Sequence, residues 1–174
     1  MDIAAISTRY RVRLLTEEDI PEILSLCREN TLYYRYCPPF VTEKTIAADM
    51  KALPPHKTPR DKYYLGFYDG GKLIAVTDLI TAFPDSETAF IGFFMTDVSV
   101  QNAGVGSGII GGLCSFLARE GFSFVRLGWV KGNPQAEHFW KKNGFSETGV
   151  SYETGGYTVI VARRPIRAPA AAET

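Results

Sequence analysis

A glycine-rich loop carries the strongest chemical signal in the sequence. Residues 101–108 read Gln-Asn-Ala-Gly-Val-Gly-Ser-Gly, directly after a strand-like run and directly before a helix-like run. At such a junction the first backbone N–H groups of the helix have no partner within it, and they lie at the positive end of its dipole. Glycines let a phosphate approach these amides because no Cβ stands in the way. The spacing predicts an anion site, but a plain tight turn would show the same glycines.

Familiar motifs for other chemistry do not fit this chain. A P-loop would place a lysine after the glycines, and none follows Gly106 or Gly108. A Rossmann fingerprint belongs to a parallel strand–helix–strand unit, whereas three antiparallel strands are predicted before this loop. A GxSxG nucleophile motif is missing, and two histidines and three cysteines are too scattered for metal ligands. We therefore expect no metal.

A second segment, residues 133–145, has the marks of a capped helix. Asn133 and Pro134 are typical of the first positions of a helix, and Gly144 is typical of its end. With the glycine loop, this segment resembles the GNAT superfamily of CoA-dependent N-acetyltransferases. The first family pattern is matched by Gln101, Gly104 and Gly106, and the second by Asn133, Ala136, Phe139, Trp140, Lys141, Lys142, Gly144 and Phe145.

The resemblance implies a binding site for acetyl-CoA as co-substrate. The loop amides would bind the CoA pyrophosphate, and the end of the fourth strand would pair with the pantetheine arm as an added strand does. The backbone N–H of Met95 would stabilise the oxyanion of the thioester. The cofactor residues expected on this basis are Phe94, Met95, Thr96, Gln101, Asn102, Ala103, Gly104, Val105, Gly106, Ser107, Asn133 and Trp140.

Acetyl transfer to an amine also needs a proton acceptor and a proton donor. Asp78 interrupts an apolar strand and is the favoured general base, with Asp97 as the second candidate; a solvent-facing acid is the alternative for both. In the family a tyrosine often protonates the leaving thiolate. Here Trp140 takes that position, and an indole has no acidic hydroxyl. The general acid therefore stays unassigned.

An aromatic segment is expected to form the acceptor site. Tyr33, Tyr34 and Tyr36 lie between the first helices, where proteins of this family bind their acceptor, and Trp129 ends the fifth strand near the same place. Aromatic walls suit a small or flexible amine. The alternative is a loop that only closes the core. We interpret His138 as a solvated surface residue.

The predicted elements place these residues in one domain. Alternation and helical spacing predict the order β-α-α-β-β-β-α-β-α-β-β. The predicted strands include 62–68, 72–80, 88–96 and a short one at 145–148; a long helix is predicted at 105–119 and an irregular segment at 30–40. This is an α+β fold: a mixed, mostly antiparallel, twisted sheet of about seven strands with about four helices. We expect a flexible N-terminus at 1–8, a single GNAT domain at 9–166 and a flexible tail at 167–174.

Composition narrows the partners and the compartment. Nineteen basic and nineteen acidic residues give zero formal net charge, so neither nucleic acid nor an anionic membrane is an expected partner. Three cysteines without a CxxC pair favour a reducing interior, and we expect a cytoplasmic protein. The sequence leaves open whether the protein forms a homodimer through an exposed edge strand.

Three functions remain open from the sequence. The first is an enzyme that transfers the acetyl group of acetyl-CoA directly to a primary amine of a small molecule or peptide in a ternary complex. The second is a GNAT-like module that binds CoA without catalysis, suggested by Trp140 in place of tyrosine. The third is a phosphate-binding protein unrelated to CoA.

Overall fold

A seven-stranded sheet runs through the centre of the protein in a computed structural model, which describes residues 1–167. The strands are β1 (Arg11–Leu14), β2 (Lys62–Asp69), β3 (Lys72–Ile80), β4 (Thr88–Thr96), β5 (Phe124–Val130), β6 (Ser146–Thr154) and β7 (Tyr157–Pro165). Their spatial order is β1-β2-β3-β4-β5-β7-β6. Strands β4 and β5 pair in parallel, and the other neighbours pair antiparallel. The predicted α+β class with a mixed, mostly antiparallel sheet is confirmed.

Five α-helices cover the two faces of this sheet. They are α1 (Ile20–Glu29), α2 (Thr31–Tyr36), α3 (Glu43–Lys51), α4 (Val105–Arg119) and α5 (Pro134–Lys142). Four short 3-10 helices occur at Ile3–Ile6, Glu17–Asp19, Pro59–Asp61 and Val98–Val100. None of the helices in residues 1–167 has the length and apolarity that crossing a bilayer requires.

Each face of the sheet has its own hydrophobic core. On one face α4 packs through Ile109, Leu113 and Leu117, and this core also contains Trp140 of α5. On the other face α1 and α3 pack over residues of β2, β3 and β4, including Met95. Because side chains of a strand alternate between the two faces, neighbouring residues of β4 enter different cores.

The sheet opens between β4 and β5. These strands pair at four positions, from Thr88 opposite Phe124 to Ile91 opposite Leu127. Past Ile91 the register between β3 and β4 shifts at a bulge, and bulges bend a strand. The rest of β4 stays paired with β3 but has no partner in β5. A wedge-shaped gap therefore lies beside the last residues of β4.

The structure differs from the sequence prediction in three segments. Residues 31–36, expected to be irregular, form α2, so residues 1–167 contain five α-helices rather than about four. Strand β6 runs to Thr154, well past the predicted end at residue 148. In the segment predicted as a flexible N-terminus, Ile3–Ile6 form a 3-10 helix and Ile6 is buried in the core with α4. Residues 168–174, nearly all of the predicted tail, lie outside the described residues.

Candidate active site

A cavity of about 350 Å³ opens where β4 and β5 diverge. Most of the cofactor residues predicted from the sequence line it: Phe94, Met95, Thr96, Gln101, Asn102, Gly104, Gly106, Ser107, Asn133 and Trp140. Ala103 and Val105 do not line it, although they lie between residues that do. The other lining residues are Asn30, Tyr33, Gln135, Ala136, His138, Phe139 and Lys142. The fold thus brings the glycine loop, the end of β4 and one side of α5 to a single cavity.

The glycine loop presents backbone amides at the start of α4. Gly104 has φ +79°, a left-handed conformation that glycine adopts without strain, and its carbonyl accepts from the N–H of Gly108 at 2.9 Å. The amides of residues 105–107 come before that helical bond and belong to the N-terminus of α4. At Gly106 an added Cβ would lie 3.1 Å from the ring of Phe139. Two glycines are therefore required for different reasons, one for conformation and one for space.

Side-chain amides fasten this loop to the end of β4. Gln101 donates from Nε2 to Oδ1 of Asn30 at 2.8 Å and to the carbonyl of Thr96 at 3.3 Å. Asn30 donates from Nδ2 to the same carbonyl at 3.1 Å and to that of Leu26 at 3.1 Å. The loop, β4 and the end of α1 are thus joined at one point. The sequence motif includes Gln101 but gives no signal for Asn30.

The free edge of β4 has a defined backbone polarity. The amide of Asp97 donates to the carbonyl of Ile74 in β3 at 2.8 Å. Because the backbone groups of an antiparallel strand alternate between its two edges, the N–H of Met95 also faces β3. The amides of Phe94 and Thr96 face the gap instead. The predicted oxyanion donor therefore needs correction, because Met95 uses its amide within the sheet.

An aromatic cluster forms the floor of the cavity. Phe94 stacks on Phe139 with ring centroids 5.8 Å apart and planes 16° apart. Trp140 contacts Phe139 at 4.9 Å and Phe145 at 5.2 Å, both edge-on, and only 8% of Trp140 is exposed. The position where the family often has a tyrosine is therefore filled by a packed indole without an acidic proton.

Polar groups of α5 complete the cavity. Asn133 is buried, and its Oδ1 accepts from the amide of Ala136 at 3.2 Å, so this residue is a helix cap that also lines the cavity. His138 and Lys142 are exposed at the rim, one helical turn apart. The surface position predicted for His138 is observed, but the structure adds that it borders the cavity. Because His138 and Lys142 are four residues apart on one helix, the sequence alone could have predicted that they lie side by side.

Asp78 lies on β3 in a largely buried ion pair. Its Oδ2 accepts from Lys62 Nζ at 2.7 Å, and Lys62 also donates to the carbonyl of Ala52 at 2.9 Å. Its Oδ1 is buried and has no hydrogen-bond partner among the described residues. Burial raises the pKa of Asp78 above the ordinary carboxyl value, although the hydrogen bond from Lys62 opposes the rise. Asp78 does not line the cavity; it is the register partner of Phe93.

The second candidate base, Asp97, is occupied by local contacts. Its carboxylate accepts from the amide of Ser99 at 2.8 Å and pairs with Lys72 Nζ at 3.0 Å. Burial acts to raise its pKa, but the bonds from Ser99 and Lys72 outweigh it and hold the pKa below the ordinary value. A carboxylate engaged in this way is a structural cap and a poor proton acceptor.

The predicted acceptor residues separate in the structure. Tyr33 lines the cavity, and its ring lies edge-on to Phe93 with centroids 5.8 Å apart. Tyr34 packs against the α1–α3 core, and Tyr36 does not line the cavity, so acceptor contacts for these two stay predictions. Trp129 is 4% exposed and belongs to the core beneath α4. The structure does not bring Trp129 to the cavity, because it shares the buried face of β5 with Val125 and Leu127.

The sequence model of the acetyltransferase (GNAT) family matches residues 23–145. This stretch runs from α1 through the glycine loop to Phe145 and includes every element that lines the cavity. The chain belongs to the GNAT acetyltransferase family. No curated protein matches it in sequence. The resemblance seen in two short motifs is thus confirmed over most of the chain.

Solved structures share the GNAT fold at low sequence identity. An acetyltransferase from Thermus thermophilus has a TM-score of 0.71 and 18% identity, over 90% of this chain and 96% of its own. A spermidine N-acetyltransferase chimera from Vibrio cholerae and hSSAT has a TM-score of 0.69 and 17% identity, over 91% of this chain and 96% of its own. The ribosomal-protein-S18-alanine N-acetyltransferase of Escherichia coli has a TM-score of 0.66 and 18% identity, over 95% and 99%.

This GNAT domain also has a contact between the segment after α2 and the start of β7. The Cys37 thiol, just after α2, lies 3.2 Å from the hydroxyl of Tyr157 at the start of β7. The hydrogen bond with Cys37, together with burial, raises the pKa of Tyr157 to about 12. The two residues are 120 positions apart, so sequence reasoning had no signal for the pair.

Proposed function

We propose that this GNAT protein transfers the acetyl group of acetyl-CoA directly to a primary amine of a small molecule or peptide in a ternary complex. One observation carries the proposal: a single cavity is bounded by the amides of a helix N-terminus and by the unpaired edge of β4. This arrangement suits a ligand with a phosphate at one end and an extended amide chain at the other.

The described residues offer complementary groups along the length of acetyl-CoA. The loop amides from Gln101 to Ser107 would hold the pyrophosphate, with Gly104 and Gly106 leaving the space that it needs. The backbone of Phe94 and Thr96 would pair with the pantetheine arm. Asn133 and Trp140 would contact the same arm from α5. Because Met95 turns its amide to β3, we assign the oxyanion donor to Phe94.

Asp78 is our proposed general base. An amine bound as an ammonium must lose a proton before it attacks, and the Oδ1 of Asp78 is an acceptor without a hydrogen-bond partner in the described structure. Its raised pKa favours uptake of that proton compared with an ordinary carboxylate. Asp78 is paired with Phe93 across β3 and β4 and lies outside the cavity. It would therefore act from the side of the sheet on which we place the acceptor.

Calorimetric titration of acetyl-CoA and CoA into the purified protein tests the cofactor site. We expect micromolar binding by the native protein and at least a ~100-fold loss in Gly106→Val, because the branched side chain would collide with Phe139. Gly108→Ala is the matched control, since an added Cβ there meets no atom within 4 Å. No binding to the native protein would overturn the proposal.

A screen of amines then tests transfer and its acceptor class. The related structures are named for acceptors as different as spermidine and a ribosomal-protein alanine, so the shared fold leaves the choice open. We would compare spermidine, 2-phenylethylamine and an alanyl peptide in a thiol-release assay. Acetylation of any of them supports the enzyme. Binding of acetyl-CoA without turnover would favour a non-catalytic CoA-binding module, the function suggested by Trp140.

Two further properties belong to this proposal. The three cysteines are free thiols, which supports work in a reducing compartment such as the cytoplasm.

Every residue of β6 is exposed and Val150 and Tyr152 are half-exposed, so this edge strand could pair with a second copy as a homodimer. Light scattering at several concentrations tests the dimer, and a constant monomer mass would overturn it.

A further inference from the structure

The leaving group of the proposed reaction needs a proton that Trp140 cannot supply. When the thioester bond breaks, the sulfur of CoA leaves as a thiolate, and its protonation assists departure. Trp140 is buried in the aromatic cluster and has no acidic hydroxyl. Among the described residues that line the cavity, Tyr33 is the only phenol. It lines this cavity together with Phe94 and Trp140, which come from the strand and the helix beside the proposed pantetheine path.

The ring of Tyr33 is held from two sides. It contacts Phe93 of β4 edge-on at 5.8 Å and Tyr34 edge-on at 5.0 Å between centroids. Tyr33 lies in α2, which follows directly on the Asn30 contact with the end of β4. Tyr33 thus reaches the cavity from α2, whereas the position of the family's usual tyrosine, here Trp140, lies on α5.

The surroundings of Tyr33 keep its proton in place. Burial, and then the neighbouring Cys37, raise the pKa of Tyr33 well above the ordinary phenol value. The amide of Cys37 donates to the carbonyl of Tyr33 at 3.0 Å, and the Cys37 thiol lies 3.2 Å from the hydroxyl of Tyr157. The backbone of Tyr33 is thus bonded to the residue whose thiol contacts Tyr157, and Tyr157 is partly exposed to solvent.

We propose that Tyr33 is the general acid that donates its phenolic proton to the sulfur of CoA as the carbon–sulfur bond breaks. This inference rests on the proposed acetyl transfer. The amine nitrogen forms the new bond to the acetyl carbon, the sulfur leaves with the bonding electron pair, and the phenolic proton makes it a thiol. The phenolate then regains a proton from solvent, while the proton lost by the amine goes to the base.

The raised pKa of Tyr33 is compatible with this role. In water a thiol is a stronger acid than a phenol, with pKa values of about 8.5 and about 10. Within the cavity, burial destabilises the thiolate as it destabilises the phenolate, so both proton affinities rise together. A phenol that stays protonated at every working pH is always ready to donate.

Titration of the thiol of bound CoA tests the proposed contact between Tyr33 and the CoA sulfur, and it needs no acceptor amine. We would follow the ultraviolet absorbance of the thiolate against pH in the CoA complexes of the native protein, Tyr33→Phe and Tyr63→Phe. A hydrogen bond from Tyr33 stabilises the thiolate, so Tyr33→Phe should raise the pKa of the bound thiol. Tyr63 packs against the core on the opposite face of the sheet, and its substitution should leave that pKa unchanged. Equal thiol pKa values in all three complexes would overturn the proposal.

Turnover with two donors tests the proton transfer itself. With acetyl-CoA, Tyr33→Phe should lower kcat by ~100-fold at unchanged affinity for the donor, the usual size of a general-acid contribution. With the selenium analogue, acetyl-seleno-CoA, the leaving selenol is a much stronger acid, and the same variant should lose far less. An equal loss with both donors would overturn the proposal and leave acetyl transfer intact. Native protein that binds no CoA would instead overturn the proposed function, and this role of Tyr33 with it.

Discussion

The cofactor side and the acceptor side that we propose for this site are built in different ways. The cofactor side uses backbone amides and two short segments, residues 94–107 and 133–145, whose members are close in sequence. The acceptor side combines side chains from α2, β2, β3 and β7, such as Tyr33, Lys62, Asp78 and Tyr157. The first is set mainly by local backbone conformation, whereas the second depends on buried charges and long-range contacts. Substitutions should therefore affect stability mainly on the acceptor side and ligand affinity mainly on the cofactor side.

Loss of Lys62 should have the largest effect and should appear as instability. Only 5% of the Lys62 side chain is exposed, and Lys62→Met would leave the Asp78 carboxylate buried without its partner. We expect the free energy of unfolding to fall by about 3–5 kcal/mol, measured by urea denaturation. The control is Lys51→Met, which breaks a surface pair with Glu17 and should cost less than about 1 kcal/mol. Equal losses would show that the burial of the Lys62–Asp78 pair does not determine its contribution to stability.

Asp78→Asn should separate binding from turnover. The amide keeps the shape of the carboxylate but cannot take a proton from the amine, so kcat should fall ~100-fold. The affinity for CoA, measured by calorimetry, should stay the same because Asp78 does not line the cavity. An unchanged rate would remove Asp78 from the mechanism, and a weakened CoA affinity would show that the two sides are not independent.

The base should also be visible in the pH dependence of the native enzyme. Because burial raises the pKa of Asp78, the limb of kcat/KM on which the carboxyl loses its proton should lie above the ordinary carboxyl range, and activity should rise with pH through it. Loss of the positive charge in Lys62→Met should move this limb to higher pH. A limb that stays in place in Lys62→Met would argue against Asp78 as the titrating group.

Asn30 joins the two sides, and its substitution should have an intermediate effect. Asn30→Ala removes the hydrogen bonds that align Gln101 and the carbonyl of Thr96. The glycine loop would then need to be ordered by its ligand, and we expect about tenfold weaker CoA binding. The substitution Asn143→Ala, which removes a bond to Ser107 at the other end of the loop, provides a comparison. Unchanged affinity in Asn30→Ala would show that the loop is held without this contact.

The smallest expected effect concerns the ion pair of Arg13 with Asp19, which lies outside both the cofactor side and the acceptor side. Asp19 accepts two bonds from Arg13, and with burial opposing them these bonds lower its pKa from 3.8 to about 2. A lowered folded-state pKa adds stability above the unfolded value, which is lost as the pH falls from about 4 to about 2. Because Arg13 is partly exposed and solvent screens the pair, we expect the loss of stability to be about 1 kcal/mol. Asp19→Asn should flatten this acid limb in urea titrations, whereas Glu18→Gln, exposed in the same 3-10 helix, should not.

The contrast between local and long-range contacts also explains which parts of the fold could be predicted from the sequence. Strands 72–80 and 88–96 and helix 105–119 were predicted with the observed ends, because apolar periodicity and glycine positions are local signals. Strand β6 was predicted too short, since all of its residues are exposed and no alternation marks it. Pairing with β7, which is a tertiary interaction, makes it a strand.

The site shows the same division between local and tertiary signals. The glycine loop and the α5 motif led to most of the residues that line the cavity. The prediction of Met95 as the oxyanion donor did not account for the direction of its backbone amide, which follows from the bond between Asp97 and Ile74 and which no residue type reveals. Asn30 and the pair of Cys37 with Tyr157 were missed because each joins segments that are distant in sequence.

The short pairing between β4 and β5 has a mechanical consequence. Four strands lie on one side of that seam and three on the other, and only four residue pairs join the two half-sheets. An extended ligand beside the end of β4 would lengthen the seam and act as a removable strand. We therefore expect the two half-sheets to move more easily against each other in the free protein than in a protein with a donor molecule bound along the seam.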